Sequence, residues 1–509
     1  MTAATASRQP ALKKYPLPRQ LSGFVGGKWV APAGGGADIP VIDPATEETL
    51  MTFPEATAKD VERAVAAAQE AFDNGPWPRM NVAERKRIFS RVCELIHRHA
   101  DELAYLDCVD TGVAYNDIRT RKIGRLADNF EFYGEVISLA AGETYQQSNA
   151  YFTFVTRHPV GVAALLAPWN SPLSLASMQL APCIAFGNTC ILKPSEQTPL
   201  GLARLVELIH EAGVPPGVVN LVNGRGPVTG QSLTSHPAVR RIKFTGGTAT
   251  GRAIMAAAAQ NLTPVSLELG GKSANIICES ADLDAALDGA LVGIFSNNGQ
   301  QCLAGSRILV QTSVANAFID KFVKRAEKIR IGDPFDPATE LGPICFKEHM
   351  ERVLSYVDIA KREGAELLTG GKRAAKFDKG YYIEPTAVLA RSNSARVSRE
   401  EIFGPFATLL TFDTFEEAVK IANDSEFGLV AYIWTEDLRT ALKASRDLMA
   451  GTVWVNTPLL RDLRAPFGGY KHSGIGRDSA HSLMDFFTEA KATLAPYERA
   501  DMVKLGWNG

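Results

Sequence analysis

A single cysteine, Cys302, stands in the run Asn297-Asn298-Gly299-Gln300-Gln301-Cys302-Leu303-Ala304-Gly305. Amides and glycines surround it, so the run is neither a packed strand nor an amphipathic helix, and glycine lets backbone approach a ligand closely. A thiol in such a polar setting can ionise and act as a nucleophile; the competing reading is an inert thiol in a turn. A matching base is offered by Leu267-Glu268-Leu269-Gly270-Gly271, where one carboxylate sits among apolar residues and glycines. Desolvation raises the pKa of a carboxylate and suits it to general-base work near neutrality. Ala167-Pro168-Trp169-Asn170-Ser171-Pro172 leaves a strand through a proline-bracketed turn. From there the Asn170 amide could donate to a developing oxyanion, the alternative being local turn chemistry.

Two further stretches suit a nucleotide. Phe244-Thr-Gly246-Gly247-Thr-Ala-Thr-Gly251 follows a strand and opens a helix, and a helix start presents free N–H groups and a positive dipole end to a phosphate. The glycine spacing is not G-x-G-x-x-G, and no Lys-Ser/Thr follows Gly251 as a Walker loop would require. Leu192-Lys193-Pro194-Ser195-Glu196 ends another strand. Such strand ends are where parallel sheets bind ligands, and Glu196 could accept hydrogen bonds from a ribose diol; a solvated loop is the alternative.

The elements that must position these residues alternate. Apolar runs at 160–167, 188–193, 218–222 and 239–244 read as buried strands, with helices over 173–186 and 201–212, the latter stopped by Gly213. A second series begins near Gly271, with strands at 273–278, 307–311, 407–412 and 430–434 and a helix over 314–331. Strand, helix, strand is the order of a parallel sheet covered on both faces, so the chain is expected to be α/β. Ahead of these, residues 57–74 form a helix capped by Thr57 with Asp60, and 83–107 a second one.

Composition narrows the partners. A net charge of -2 without long runs of one sign asks for neither nucleic acid nor an anionic membrane. Seven scattered cysteines, with no CxxC or His/Cys cluster, argue against a disulfide framework and a zinc site, and point to a reducing, cytoplasmic setting. There is no run of 18 apolar residues. Residues 1–23 read as a loose arm, basic at Arg8, Lys13, Lys14 and Arg19 and interrupted by Pro10, Pro16 and Pro18.

Taken together, Pro168-Trp169-Asn170, Lys193 to Glu196, Phe244 to Gly251, Leu267 to Lys272, Gly299-Gln300-Gln301-Cys302, Glu401-Ile-Phe403-Gly-Pro405 and Pro466 to Gly474 resemble, in order, the blocks of the aldehyde dehydrogenase superfamily. The resemblance is to its hydrolytic, NAD(P)-dependent branch. It implies a nucleotide-binding domain (24–140 and 157–270), a catalytic domain (271–470) and a small β arm (141–156 and 486–497) through which subunits pair as a homodimer or homotetramer. It implies a Cys302 nucleophile, an Asn170 amide and Cys302 N–H for the oxyanion, and Glu268 as the base that hydrolyses a thioester. It places NAD against Trp169, Lys193, Glu196, Gly226, Gly246, Gly251, Leu269, Glu401 and Phe403, with NADP disfavoured by Glu196, and it calls for no metal. This chain departs from the family at Gly247, where a Ser is usual, and at Gln179, where many members have Lys.

For the aldehyde, Ser171 replaces a bulky aromatic beside Asn170 and should widen the pocket. The segment Asn456 to Ala465 is similar to that of muconate-type semialdehyde dehydrogenases, in which an arginine meets a substrate carboxylate. Arg464, or Arg461, is therefore the expected anchor of a bulky, carboxylated semialdehyde from aromatic catabolism, with Gln301, Leu303 and Phe467 shaping the pocket. A neutral aromatic aldehyde such as a hydroxybenzaldehyde is the alternative substrate. A catalytically inactive binding protein on this fold is the alternative of another class.

Overall fold

The computed structural model describes residues 15–500 and 502–506. Two sheets dominate. The first has five parallel strands at its centre, in the spatial order Val219–Val222, Thr189–Lys193, Val162–Leu166, Val239–Thr245 and Val265–Glu268. Antiparallel edges flank them: Gly23–Val25 with Lys28–Trp29 on one side, and Gly474–Ile475 on the other. Side chains alternate between the two faces of a strand, and the packing follows. Val162, Ala164 and Leu166 join the helix Ala58–Asp73 through Val61, Ala64, Val65 and Ala68. Ala163 and Leu165 point the other way, into the helices Val82–Arg98 and Pro172–Ala185. Both faces are covered, which is why these strands read as unbroken apolar runs.

The second sheet has seven strands, ordered Glu366–Thr369, Thr386–Leu389, Phe406–Phe412, Arg307–Gln311, Ala274–Ile277, Val430–Trp434 and Thr452–Val455. All are parallel except the first. Glu143–Tyr145, Tyr151–Pro159 and Thr488–Pro496 form a separate three-stranded antiparallel sheet. Its strands reach Pro159 and begin at Thr488, somewhat displaced from the expected 141–156 and 486–497.

Three expectations are corrected. The helix expected over 83–107 is two helices, Val82–Arg98 and Ala100–Thr111, broken at His99 (φ -101°, ψ 19°). There the His99 ring bonds Glu102 at 2.7 Å, in the first turn of the second helix. The apolar period runs through the break, so sequence spacing did not reveal it. The helix expected over 314–331 spans Thr312–Ala326. Of the loose arm, residues 1–14 lie outside the described residues, while Tyr15 packs on Tyr105 (ring centroids 5.8 Å apart) and Leu21 is buried, so 15–23 is part of the packed body. Thr57 does close its helix start, with Asp60 Oδ2 accepting from the Thr57 N–H at 2.9 Å. Gly213 terminates the helix Leu200–Glu211 in the left-handed region (φ 101°).

Candidate active site

The chemistry-bearing residues of the first sheet all follow strand carboxyl ends, the position where α/β sheets bind ligands. Trp169 and Asn170 come after Val162–Leu166, Lys193 ends Thr189–Lys193, Gly246 follows Val239–Thr245, and Glu268 ends Val265–Glu268. Cys302 precedes the strand Arg307–Gln311 of the second sheet, and Glu401 precedes Phe406–Phe412. The two sets meet around a cavity of about 200 Å³ lined by Trp169, Asn170, Gly246, Glu268, Leu269, Cys302, Glu401 and Phe403. The fit is close. A Cβ on Gly271 would lie 2.7 Å from the Cys302 carbonyl oxygen, and one on Gly299 (φ 71°) only 2.2 Å from the backbone of Gly404. Only glycine allows these approaches.

Cys302 is not the readily ionised thiol expected from its polar neighbours. Burial, and then the Glu401 and Glu268 carboxylates, push its pKa up to about 12. Desolvation by the walls outweighs the local amides, so the resting side chain is a thiol that needs a base. Glu268 is 5% exposed and neither carboxyl oxygen makes a hydrogen bond. Gly468 passes so close that a Cβ there would lie 2.8 Å from Glu268 Oε1. Burial first, and the Asp478 charge second, hold the Glu268 pKa well above the usual carboxylate value, with Lys243, Arg461 and Arg477 pulling it back. Asp478 is itself paired with Lys243 in a buried ion pair.

That shift has a consequence for stability. The folded protein holds the Glu268 proton more tightly than the unfolded chain does. The contribution of this group to stability is therefore complete below the unfolded pKa near 4.5 and declines as pH rises through the higher folded value. Glu268→Gln, which mimics the protonated form, should gain stability relative to wild type as pH increases. Thermal unfolding at about pH 5 and about pH 8 checks it: the Tm difference should favour the variant more at the higher pH. A difference independent of pH would contradict the shift.

Asn170 is buried, with its Nδ2 donating to the Gln300 carbonyl at 2.8 Å. Trp169, Phe346, His349 and Phe403 form a tilted aromatic group, Trp169 and Phe403 edge-on at 5.3 Å. His349 Nε2 bonds the Phe403 carbonyl, 2.6 Å away, and Phe403 is held in the left-handed region (φ 64°). Glu401 accepts from the Gly271 N–H at 2.8 Å, and burial raises its pKa to about 7. Lys193 Nζ donates to the Pro194 and Gly224 carbonyls at 2.6 Å and lies 3.9 Å from Glu196. The helix Thr248–Ala259 begins after Gly247 with no side-chain cap, leaving its first N–H groups open. Gly226 starts a π-helical turn, and a Cβ there would meet open space. Gly251, at the start of the helix Thr248–Ala259, is buried under Leu269, which a Cβ would meet at 2.7 Å.

The arginines of the substrate reading lie in different surroundings. Arg464 is corrected as the anchor: its side chain is 81% exposed and paired with Asp462 at 2.6 Å. Arg461 points inward. Its guanidinium lies 4.4 Å above the Phe467 ring, donates to the Met178 sulfur at 3.3 Å, and leaves a buried Nε without a partner. Arg125, which sequence reading missed, donates to the same sulfur at 3.8 Å. Burial and then the Arg461 charge bring the Arg125 pKa down to about 10, and Cys302, once ionised, opposes that fall. Among the described residues neither guanidinium makes an ion pair. Nothing in sequence marks Arg125, because it lies on a long helix, Ile123–Leu139, among ordinary surface and core positions.

Gln301 turns its amide to the Gly293 carbonyl at 3.3 Å, bracing its own loop. The Leu303 carbonyl accepts from the Tyr432 hydroxyl at 2.6 Å, and its side chain packs by Phe467 and Trp454. Ser171 is the N-cap of Pro172–Ala185, with no capping bond from its side chain. Gln179, on that helix, donates to the Leu166 carbonyl and Thr245 Oγ1, both at 3.1 Å. Leu175, Phe346, His349 and Arg352 also line the cavity and were not foreseen. Among the described residues no group of three or more His, Cys, Asp or Glu side chains could hold a metal ion, and no helix is long and apolar enough to cross a membrane.

A cysteine and a buried carboxyl thus face one cavity, lined from both α/β sheets. The sequence profile of the aldehyde dehydrogenase family matches residues 29–493, and the chain belongs to that family of oxidoreductases acting on aldehydes. It is 42% identical to 5-carboxymethyl-2-hydroxymuconate semialdehyde dehydrogenase of Escherichia coli, over 89% of this chain and 96% of that protein. It is 39% identical to the mitochondrial benzaldehyde dehydrogenase of Antirrhinum majus, over 97% and 92%. The NAD+ complex of an aldehyde dehydrogenase from Bacillus cereus superposes with a TM-score of 0.93 at 39% identity, covering 96% of this chain and 99% of that one.

Proposed function

We propose that the protein oxidises a carboxylated semialdehyde to the corresponding acid with NAD. The observation that carries the substrate reading is the Arg125–Arg461 pair: two guanidiniums on one methionine sulfur, beside Cys302, without a carboxylate of the protein between them. Like charges brought together out of water are costly unless an anion joins them, and guanidinium is well matched to a carboxylate. In this reading the Cys302 sulfur bonds the aldehyde carbon. Its proton passes to Glu268, and the oxyanion is held by the Asn170 amide and the Cys302 N–H. A bound nicotinamide supplies the hydride acceptor. Glu268 then releases that proton to solvent, takes one from the water that attacks the thioester, and returns it to the departing Cys302 sulfur, freeing the acid and restoring the thiol.

The residues present fit a dinucleotide. The open helix start at Gly247 suits a pyrophosphate, Glu196 with Lys193 a ribose diol, and Glu401 with the Trp169–Phe403 aromatic group the nicotinamide half. A negative Glu196 disfavours a 2′-phosphate, hence NAD over NADP. The three-stranded sheet of Glu143–Tyr145, Tyr151–Pro159 and Thr488–Pro496 supports subunit pairing as a homodimer or homotetramer, and seven free cysteines suit a reducing, cytoplasmic compartment. A neutral aromatic aldehyde is the second reading, supported by the Leu303, Trp454 and Phe467 wall.

The test compares NADH formation from 4-carboxybenzaldehyde and from its uncharged methyl ester, with Cys302→Ala as control. A kcat/KM at least about 10-fold higher for the acid is expected. Equal values would favour the neutral reading, and no NADH from any aldehyde would overturn both.

A further inference from the structure

Lys122 closes a five-residue π-helical turn, Ile118–Lys122, that leads into the helix Ile123–Leu139. Such turns recur at functional sites because they displace one residue from the regular helical surface. The displaced ammonium donates to Asn297 Oδ1, across 175 positions of chain. The Asn297 amide nitrogen then donates twice, to the Asn170 carbonyl at 2.9 Å and to the Gln300 carbonyl at 2.8 Å. That Gln300 oxygen also accepts from Asn170 Nδ2. One backbone carbonyl, two residues before Cys302, thus receives both side-chain amides. Asn297 and Asn298 are held in the left-handed region (φ 55° and 56°), which costs a non-glycine residue energy and persists only where the surroundings impose it. Asn298 is pinned as well, donating to the Gly112 and Pro343 carbonyls and accepting from the Gly342 N–H. Asp107, 1% exposed, lies within the field of the Lys122 charge. Burial brings the Asp107 pKa up to about 6, and the Lys122 charge opposes that rise.

An amide nitrogen has two N–H groups. With one fixed on the Gln300 oxygen, the other Asn170 N–H has a set direction. We propose that Lys122 and Asn297 are positioning residues for the oxyanion-binding amide: the ammonium anchors Asn297, and Asn297 fixes the Asn170 and Gln300 carbonyls, so that the free Asn170 N–H is aimed at the aldehyde oxygen above Cys302. A cation on Asn297 Oδ1 also polarises that amide and strengthens both of its donated bonds. The inference rests on the reading of Asn170 given above. It explains why an ammonium stands next to the nucleophile's loop although no carboxylate bonds it directly.

Four variants test it: Lys122→Met, Lys122→Arg, Asn297→Asp and Asn170→Ala. Asn297→Asp keeps an acceptor for Lys122 but removes both donated N–H bonds, and it serves if Lys122→Met does not fold. The readouts are kcat with 4-carboxybenzaldehyde and with its methyl ester, KM for NAD, and the rate at which iodoacetamide alkylates Cys302, a reaction that needs the Cys302 thiolate but no oxyanion donor. Asn170→Ala should lower kcat by about 10²–10³-fold, as loss of an oxyanion donor does. Lys122→Met and Asn297→Asp should lower kcat by at least about 10-fold through misplacement, with KM for NAD and the alkylation rate within about 2-fold of wild type. Lys122→Arg should recover part of the loss. An unchanged kcat in Lys122→Met and Asn297→Asp, with Asn170→Ala impaired, overturns the positioning role alone. Parallel falls in kcat, alkylation and NAD affinity overturn it too, by showing general loosening of the loop. An unimpaired Asn170→Ala overturns the reading on which it rests.

Discussion

Glu268→Gln should release one equivalent of NADH per site and then stall. In the proposed mechanism the first half of the reaction needs the Cys302 sulfur, an oxyanion donor and a hydride acceptor; only the second needs a base for water. Glu268 is the sole carboxyl at the end of the Val265–Glu268 strand, with both oxygens unbonded and aimed into a buried site. Glutamine keeps its shape but cannot take a proton. Steady-state turnover should fall by about 10²–10⁴-fold, the usual contribution of a positioned base, while the burst amplitude stays near one per site. The burst itself should be slower, since the same carboxyl relieves Cys302 of a proton held up to about pH 12. In wild type the acid limb of turnover should lie above the ordinary carboxylate range, because the working form is deprotonated and is lost as pH falls through a raised pKa. Rapid-mixing absorbance resolves both phases. A variant that turns over linearly at the wild-type rate would remove Glu268 from the mechanism.

The second large effect concerns Arg461. Arg461→Ala should lower kcat/KM for 4-carboxybenzaldehyde by roughly 50-fold, about 2.3 kcal/mol, in line with one charge-assisted hydrogen bond to a carboxylate. The methyl ester should lose less than about 3-fold, that part reflecting only lost packing over Phe467. Arg464→Ala should leave both substrates unchanged, since its guanidinium is exposed and occupied by Asp462. Steady-state kinetics on both aldehydes with both variants decide the matter. A loss of equal size for acid and ester in Arg461→Ala would make Arg461 a packing residue, and an acid-selective loss in Arg464→Ala would reverse the assignment.

The contrast between these two arginines shows where sequence reasoning stops. They lie three positions apart in one irregular segment, with the same charge and the same reach. Which one turns inward depends on Asp462, which captures Arg464 on the outside, and on Met178 and Phe467, which receive Arg461. Arg125 carries no sequence signal at all, because a helical arginine with one face to the interior looks like any other amphipathic position. The glycines and amides around Cys302 marked it as a candidate nucleophile, yet its protonation state was not legible. Local composition suggested a polar setting, whereas burial first, and then the charges of Glu401 and Glu268 from segments remote in the chain, raise its pKa.

What the sequence by itself determined was the repeated strand–helix order, the apolar runs of doubly covered strands, and the short blocks around Asn170, Lys193, Glu268 and Cys302. Those are local properties: periodicity, glycine permissiveness and the chemistry of single side chains. The tertiary structure alone decided which groups share a carbonyl, which arginine turns inward, where the helix over 82–111 breaks, and how far each pKa moves. Those quantities depend on distance and dielectric, which are set by packing between segments remote in the chain.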